Sequence, residues 1–406
     1  MADSVSIPEI TVNQRGAARL RGGHLWVYRS DLVPPAGASA GSLVQVRDER
    51  GRHLGSALYS SASQIAIRLL TGDEIGEAPL ASLLRERIAA AVRFREQVAR
   101  DTDSYRVIFS EADLLPGLIL DKYNDVLSMQ ALSQAFDRQE LRQAVLDAIA
   151  EHFPEASVVE RVDPHIRELE QLAPRESQLV RGERSSTVFT MNAVRFHFDG
   201  LGGQKTGAFL DQRENYAAAA RYAHGDALDC FTYQGGFALH LARVCTTVAA
   251  VDSSRPALEV AERNEQLNRA AHRCGEIEWT EANAFDLLKD YATANRQYDT
   301  IVLDPPAFAK TKRAVPTALR GYKELNLRAL KMLRPGGILV TCSCSFHVSE
   351  GELLAMLGSA AADAGRRVHI LEERGQSLDH PILLNVPETA YLKCVIGQVL
   401  CFPLRK

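Results

Sequence analysis

The feature that most constrains this chain is a strand–helix alternation from about residue 226 onward. ALDCF leads to FALHLARV, VAAVD to PALEVAERNEQLN, and IEWTEANAF and DTIVLD to a helix from about Lys323 to Met332; GILVTCS and ELLAMLGSAAADAG follow. β-rich runs alternating with helical periods imply right-handed crossovers and a mostly parallel sheet. An open sheet of that kind binds ligands at the carboxyl ends of its strands. TVFTMNAVRFHFDG, just upstream, reads as a hairpin or two short strands.

Two other zones precede this one. Residues 11–75 read as a small β-rich unit, in which GSLVQVRDERGRHLGSALYSSASQIAIRLLT alternates β-branched runs with turn signals. Between 11 and 70 it holds eight arginines against three acids, although the 406-residue chain is net −4. Such a barrel with a basic rim suits RNA, and a merely solvated face is the competing reading. Residues 76–186 read as α+β. Leu83, Leu84, Ile88, Val92 and Phe94 fall at helical spacing, Pro116-Gly117 breaks two strands, and a helix near 137–152 precedes a strand at 157–162.

A composition of 46% hydrophobic and 24% charged residues excludes a disordered or low-complexity chain. No apolar run reaches the length of a membrane span, and MADSVSIPEI lacks the parts of a signal peptide. Seven cysteines without a CxxC pair give neither a disulfide framework nor a zinc pattern, so the expected setting is reducing and cytoplasmic.

Four segments carry chemistry. In Leu228–Phe237 an apolar strand ends in the glycine pair Gly235-Gly236, which opens a helix, and Asp252 ends the next strand, where a carboxylate holds ribose hydroxyls. Without a full GxGxxG, a plain helix-capping turn also fits. In Asp304-Pro305-Pro306-Ala307-Phe308 the prolines end a strand and fix Asp304 at the sheet edge, where it can bind the exocyclic amine of a base. In the strand Gly337–Ser345, Cys342 and Cys344 share a face; Cys342 reads as a small core residue and Cys344 as a nucleophile. The polar run Gly203–Arg213 reads as a functional loop or an ordinary connection.

Together GQKTGAFLDQREN, DCFTYQGGFALHLA, AVDSSRPALEVAERNEQLN, DPPAFAK, RGYKELN and TCSCS resemble the RlmI-like class I methyltransferases, which make 5-methylcytosine in large-subunit ribosomal RNA. The resemblance spans nearly the whole chain. It implies an α/β protein with a Rossmann-like class I methyltransferase domain at 187–406, preceded by a small β-barrel PUA-like RNA-binding domain at 1–75 and a central α+β domain at 76–186. It implies S-adenosyl-L-methionine as cofactor, with Phe231, Tyr233, Gly235 and Gly236 at its methionine end, Asp252 on the ribose, and Asn283 and Ala284 at the adenine. Gln204, Lys205, Asp211 and Arg213 would close over cofactor or substrate. Asp304 would hold the target base beside the cofactor, and Arg15, Arg19, Arg21 and Arg52 would meet RNA.

Cys344 matches the family's nucleophile. The related Cys-Ser-x4-Glu spacing is met by Cys344, Ser345 and Glu350, whereas Cys342 would place Val348 there. Some relatives carry a second cysteine after the two prolines; here that residue is Ala307. A thiolate adding to C6 of cytosine makes C5 nucleophilic enough to take a methyl group, which calls for an electropositive, partly open setting at Cys344. The implied partner is RNA, as 23S rRNA or an assembling large subunit, with a homodimer left open. Competing readings are a guanine methyltransferase that does not need Cys344, a non-catalytic RNA-binding or assembly factor, and a nicotinamide dehydrogenase disfavoured by DPPAF.

Overall fold

The computed structural model describes residues 7–34, 37–202, 207–269 and 275–401. The chain divides into two compact units. The first comprises Met1–Phe189, Phe198–Gly207 and Leu378–Thr389; the second comprises Thr190–His197, Ala208–Ser377 and Ala390–Lys406. Among the described residues no helix is long and apolar enough to cross a membrane.

The first unit holds two five-stranded sheets. One runs in the order Glu9–Val12, Leu43–Asp48, His53–Tyr59, Ile65–Thr71, Trp26–Tyr28. A short helix, Gln14–Arg21, escaped the sequence reading because only Ala17 and Leu20 form its large apolar contacts; Asn13 caps it by accepting from the Gly16 N–H at 3.0 Å. The second sheet runs Gln178–Arg181, Ser157–Glu160, Val126–Ala131, Leu118–Tyr123, Ser104–Phe109. The helices Glu77–Val98 and Gln139–His152 contribute Leu84, Ile88, Leu141 and Val145 to its core. Beyond the break at Pro116-Gly117, a second turn at Asn124-Asp125 adds a third strand, with Asn124 at φ +50°.

Leu378–Thr389 completes this first unit. The buried Arg95 donates to Asp113 at 2.7 Å, to the Arg106 carbonyl at 2.9 Å and to the Asp379 carbonyl at 2.9 Å. The buried Asp379 carboxylate accepts the Arg106 N–H at 2.8 Å. A buried guanidinium persists only when paired and hydrogen-bonded, so these contacts bind the segment firmly.

The four arginines expected to meet RNA do not stand free in this unit. Arg15 reaches the buried Asp31 at 2.6 Å and Arg19 lies 4.0 Å from it, over the Tyr28 ring. Arg21 and Arg52 share Asp48, the latter at 2.8 Å. Each trio keeps one net positive charge.

The second unit is built on a seven-stranded sheet. Its central strand, Asp226–Cys230, lies between Thr247–Asp252 and Tyr298–Leu303, parallel to both. Glu276–Glu281 flanks one side, and Leu333–Ser343, Lys393–Val399 and Val368–Arg374 follow on the other. In order of appearance this is 3-2-1-4-5-7-6, with strand seven antiparallel to its neighbours. Strand order reverses between Asp226–Cys230 and Tyr298–Leu303, the crevice where such sheets bind ligands. The helix after the Asp304 loop runs Val315–Met332, longer than its periodicity indicated. The hairpin is present as Ser186–Met191 and Val194–Asp199, turning at Asn192-Ala193 with φ of +50° and +62°. Two left-handed residues are what a tight two-residue hairpin turn requires.

Candidate active site

After Asp226–Cys230 the backbone turns through left-handed conformations at Phe231 (φ +68°), Tyr233 (φ +51°) and Gly235 (φ +86°). For a residue with a side chain this costs roughly 1–2 kcal/mol, so the surroundings must enforce it. They do so with hydrogen bonds. The Thr232 N–H donates to the Val251 carbonyl at 3.0 Å, its hydroxyl to Asp229 at 2.6 Å, and the Tyr233 N–H to Asp252 at 2.9 Å. Asn264, buried on the helix Arg255–Asn268, donates to the Gln234 carbonyl at 3.0 Å and accepts from the His197 N–H at 2.7 Å.

The glycine pair has a steric cause. A Cβ on Gly236 would lie 2.5 Å from the Tyr216 ring, and one on Gly235 would lie 2.8 Å from Trp279. Tyr216 stacks on His240, whose Nδ1 bonds the Gly236 carbonyl at 2.7 Å while Nε2 faces the Asn192 amide at 3.2 Å. Burial lowers the His240 pKa to about 4, so the ring is neutral beneath the loop. Phe231, Tyr233, Gly236 and Asp304, with Tyr216 and Phe209, border a shallow concave space at the crevice.

Asp252 ends the second strand with both carboxylate oxygens on backbone amides, Tyr233 and Ser254, each at 2.9 Å. Each oxygen keeps a second lone pair, so the carboxylate is pre-oriented to accept from a diol. The Ala282 N–H donates to the Asp252 carbonyl at 3.0 Å and brings the next strand end alongside. There the exposed Asn283 caps the helix Ala284–Thr293 through the Phe285 N–H at 2.9 Å, with Ala284 buried behind it.

Asp229, which the sequence reading passed over, is fully buried at the root of the loop. Burial raises its pKa to about 7, against the Thr232 hydroxyl and the Ala238 amide, which favour the anion. A carboxyl with a raised folded pKa holds its proton longer than in the unfolded chain. Its stabilising share is complete below about pH 4 and is lost as pH rises through about 7. Asp229→Asn mimics the protonated form. Its stability gain over wild type should therefore be near zero at pH 4.5 and reach on the order of 1–4 kcal/mol at pH 8, measured by urea unfolding. A pH-independent difference would refute a protonated Asp229.

Across the crevice, Asp304 directly follows the strand Tyr298–Leu303. The buried Gln212 donates to its Oδ2 at 3.0 Å and accepts from the buried Asn215 at 2.7 Å; Asn215 in turn accepts from Arg374 at 2.8 Å. This amide ladder fixes the plane of the Asp304 carboxylate. Gln212 was missed in sequence because it sits among Asp211, Arg213 and Glu214 in a run that reads as polar loop.

Cys344 is half-buried one residue beyond its strand, and its Sγ lies 3.9 Å from the Pro305 carbonyl. Its neighbours are tied down on both sides. Ser343 and Ser345 each bond the buried Tyr322 hydroxyl at 3.0 Å, and Ser345 Oγ accepts the Ala309 N–H at 3.1 Å. Lys393 donates to the Ser345 and Val348 carbonyls, both at 2.8 Å. The thiol thus rests against the very loop that carries Asp304.

The electrostatics at Cys344 correct the electropositive setting that the sequence suggested. Burial first, then the carboxylates of Asp304 and Asp211, push its pKa up to about 11, with Lys393 pulling the other way. The protein alone therefore holds a protonated thiol. Cys342 is completely buried opposite Cys394 in the sheet register, and the contact with Cys394 together with burial raises its pKa well above the ordinary thiol range.

The remaining site residues fall in several places. Asp211 accepts the Tyr391 hydroxyl at 2.5 Å, and its carbonyl accepts from Ser377. Arg213 is buried, with its guanidinium 3.5 Å from Glu214, and it does not border the concave space. Glu350 is exposed at the start of the helix Glu350–Asp363, and Ala307 is partly buried. Gln204 and Lys205 lie outside the described residues.

A family described as S-adenosylmethionine-dependent methyltransferase matches residues 174–396, and a PUA-like domain matches residues 10–72. Fold and site together define a class I S-adenosylmethionine-dependent methyltransferase. A solved S-adenosylmethionine-dependent methyltransferase from Streptococcus mutans shares the fold with a TM-score of 0.80 at 17% identity, over 97% of this chain and 100% of the other. A Photobacterium profundum protein named ribosomal RNA large subunit methyltransferase I is 38% identical over 92% of this chain and 95% of its own length. The protein of that name from Citrobacter koseri is 35% identical over 93% and 96%. The chain belongs to the ribosomal RNA large subunit methyltransferase I family.

S-adenosylmethionine is accordingly its cofactor. The site suits that molecule, because the Phe231–Gly236 turn lines the crevice beside the amide-held Asp252 carboxylate.

Proposed function

We propose that this chain methylates C5 of a cytidine in bacterial large-subunit (23S) rRNA, with Cys344 as nucleophile and Asp304 as the base-holding group. The observation that carries this reading is the contact of the Cys344 thiol with the Pro305 carbonyl, which sets nucleophile and carboxylate on one loop at the sheet's crevice. The names of the relatives support the substrate class, and an rRNA substrate puts the reaction in the bacterial cytoplasm.

When bound, the cofactor supplies an electrophilic methyl group on a sulfonium centre. Phe231, Tyr233, Gly235 and Gly236 would cradle its methionine end, Asp252 its ribose, and Asn283 and Ala284 its adenine. Asp211 and the segment holding Gln204 and Lys205 would face cofactor or substrate, and buried Arg213 would brace them from behind. Asp304, held in plane by Gln212, accepts the exocyclic amine of the cytosine.

Cys344 gives up its proton to solvent and its sulfur bonds C6, so the electron pair displaced from the ring makes C5 the nucleophile. C5 would take the methyl group as the methyl–sulfonium bond breaks with its pair left on that sulfur; a base then removes the C5 proton, and the freed pair re-forms the ring double bond as the C6–S bond breaks and returns the thiolate to Cys344. The target base must leave its stack, at a cost of roughly a few kcal/mol and less in looped RNA. Arg15, Arg19, Arg21 and Arg52 would supply RNA backbone contacts from the first unit.

The test is nucleoside mass spectrometry on unmodified bacterial large-subunit rRNA, offered naked or as an assembling particle, after incubation with protein and S-adenosylmethionine. New 5-methylcytidine is expected. A methylated guanosine would replace this reading with a guanine methyltransferase, and RNA binding without any product would leave a binding factor.

A further inference from the structure

From Pro305 to Lys323 the sequence holds five cations (Lys310, Lys312, Arg313, Arg320 and Lys323) and no acid, in a chain whose net charge is −4. Lys323 is paired with Asp363 at 2.7 Å, and Arg320 donates to Thr317 at 3.0 Å. Lys310, Lys312 and Arg313 are exposed and enter no ion pair with a described residue. This differs from Arg15, Arg19, Arg21 and Arg52, which share two aspartates.

The chain leading into this cluster is rigidly anchored. Ala309, one residue before Lys310, is buried with its N–H on Ser345, the neighbour of Cys344. Phe308 packs on Tyr322 and Phe285 with ring centroids 4.8 and 5.9 Å away. The backbone that leads to the cations is therefore anchored beside Cys344 on the loop that begins at Asp304. The helix Val315–Met332 begins just beyond with no acid in its first turn, so its amino end adds to the positive field.

We infer that Lys310, Lys312 and Arg313 bind the phosphates of the RNA strand that flank the target nucleotide. The inference rests on the reaction proposed above for its geometry, because a base held by Asp304 and Cys344 brings its own backbone to the next exposed residues of that loop. Three flexible cations without planar recognition partners suit phosphate, a sequence-independent ligand, better than base edges.

The test compares wild type with the triple variant Lys310→Gln, Lys312→Gln, Arg313→Gln. Filter binding to unmodified large-subunit rRNA and to polyuridine is measured across a salt series. The control variant removes three exposed charges elsewhere on the same unit, as Arg263→Gln, Lys289→Gln, Lys331→Gln. Each phosphate contact on a single strand contributes about 0.7 to the slope of log Kd against log salt, so the triple variant should lose about 2. Extrapolated over the decade from 1 M to 0.1 M salt, that is about a hundredfold weaker binding to both RNAs. S-adenosylmethionine affinity and thermal midpoint should be unchanged, and kcat at saturating RNA should stay within a few-fold.

A slope equal to wild type, or a loss no larger than the control's, overturns the inference. Binding is read without turnover. A wild-type protein that makes no methylated nucleoside yet shows this slope difference would refute the proposed reaction while supporting the phosphate contacts.

Discussion

Cys344→Ala should lower 5-methylcytidine formation by about a thousandfold or more, because among the described residues Cys344 is the nucleophile placed beside Asp304. Alanine leaves the Ser343 and Ser345 bonds to Tyr322 in place, so the fold and S-adenosylmethionine affinity should be retained. The raised thiol pKa adds a second signature. With its pKa pushed to about 11, Cys344 is mostly protonated at neutral pH, and its thiolate fraction grows about tenfold per pH unit up to that value. Single-turnover rates of the wild type should therefore climb with a slope near one between pH 6.5 and 8.5. Activity surviving in the alanine variant would remove Cys344 from the mechanism. A flat pH profile would mean that thiol ionisation does not limit the rate.

Asp304→Asn should move two measurements in opposite directions. Methylation should drop by about a hundredfold, since an amide in place of the carboxylate must turn an N–H toward either the Gln212 amide or the base amine, both of them donors. Alkylation of Cys344 by iodoacetamide should become faster in the same variant, by roughly threefold to tenfold. The lost negative charge is one reason the thiol is hard to ionise, and burial, the larger cause, remains. Peptide mass spectrometry at Cys344 reads the alkylation rate. An unchanged or slower rate would show that Asp304 does not act on the thiol electrostatically.

Much of the second unit could be read from sequence, because parallel strands buried on both faces write themselves as short apolar runs between helical periods. Asp252, Asp304 and Cys344 could be singled out because each ends such a strand or directly follows one. The groups that hold them were harder to see. Gln212, Tyr322 and Lys393 act through contacts with residues 92, 23 and 48 positions away in sequence. Such pairings leave no local pattern. The strands Val368–Arg374 and Lys393–Val399 were passed over; the first mixes exposed and half-buried residues at the sheet edge, without a continuous apolar run. The charge on Cys344 could not be inferred at all. Asp211 and Asp304 converge on it only after the sheet has formed, and the basic excess of residues 11–70 gave no hint that Asp31 and Asp48 would absorb half of the four arginine charges.

The return of Leu378–Thr389 to the first unit has a consequence for vectorial synthesis. Arg95 and Arg106 need Asp379 to satisfy their buried groups, yet Asp379 leaves the ribosome 273 residues after Arg106. At translation speeds of about 5–20 residues per second, roughly 14–55 s separate the two. Throughout that interval the nascent amino-terminal half carries an incomplete core. Its final closure waits until Leu378–Thr389 has emerged, so the first unit cannot complete its core simply in the order of synthesis.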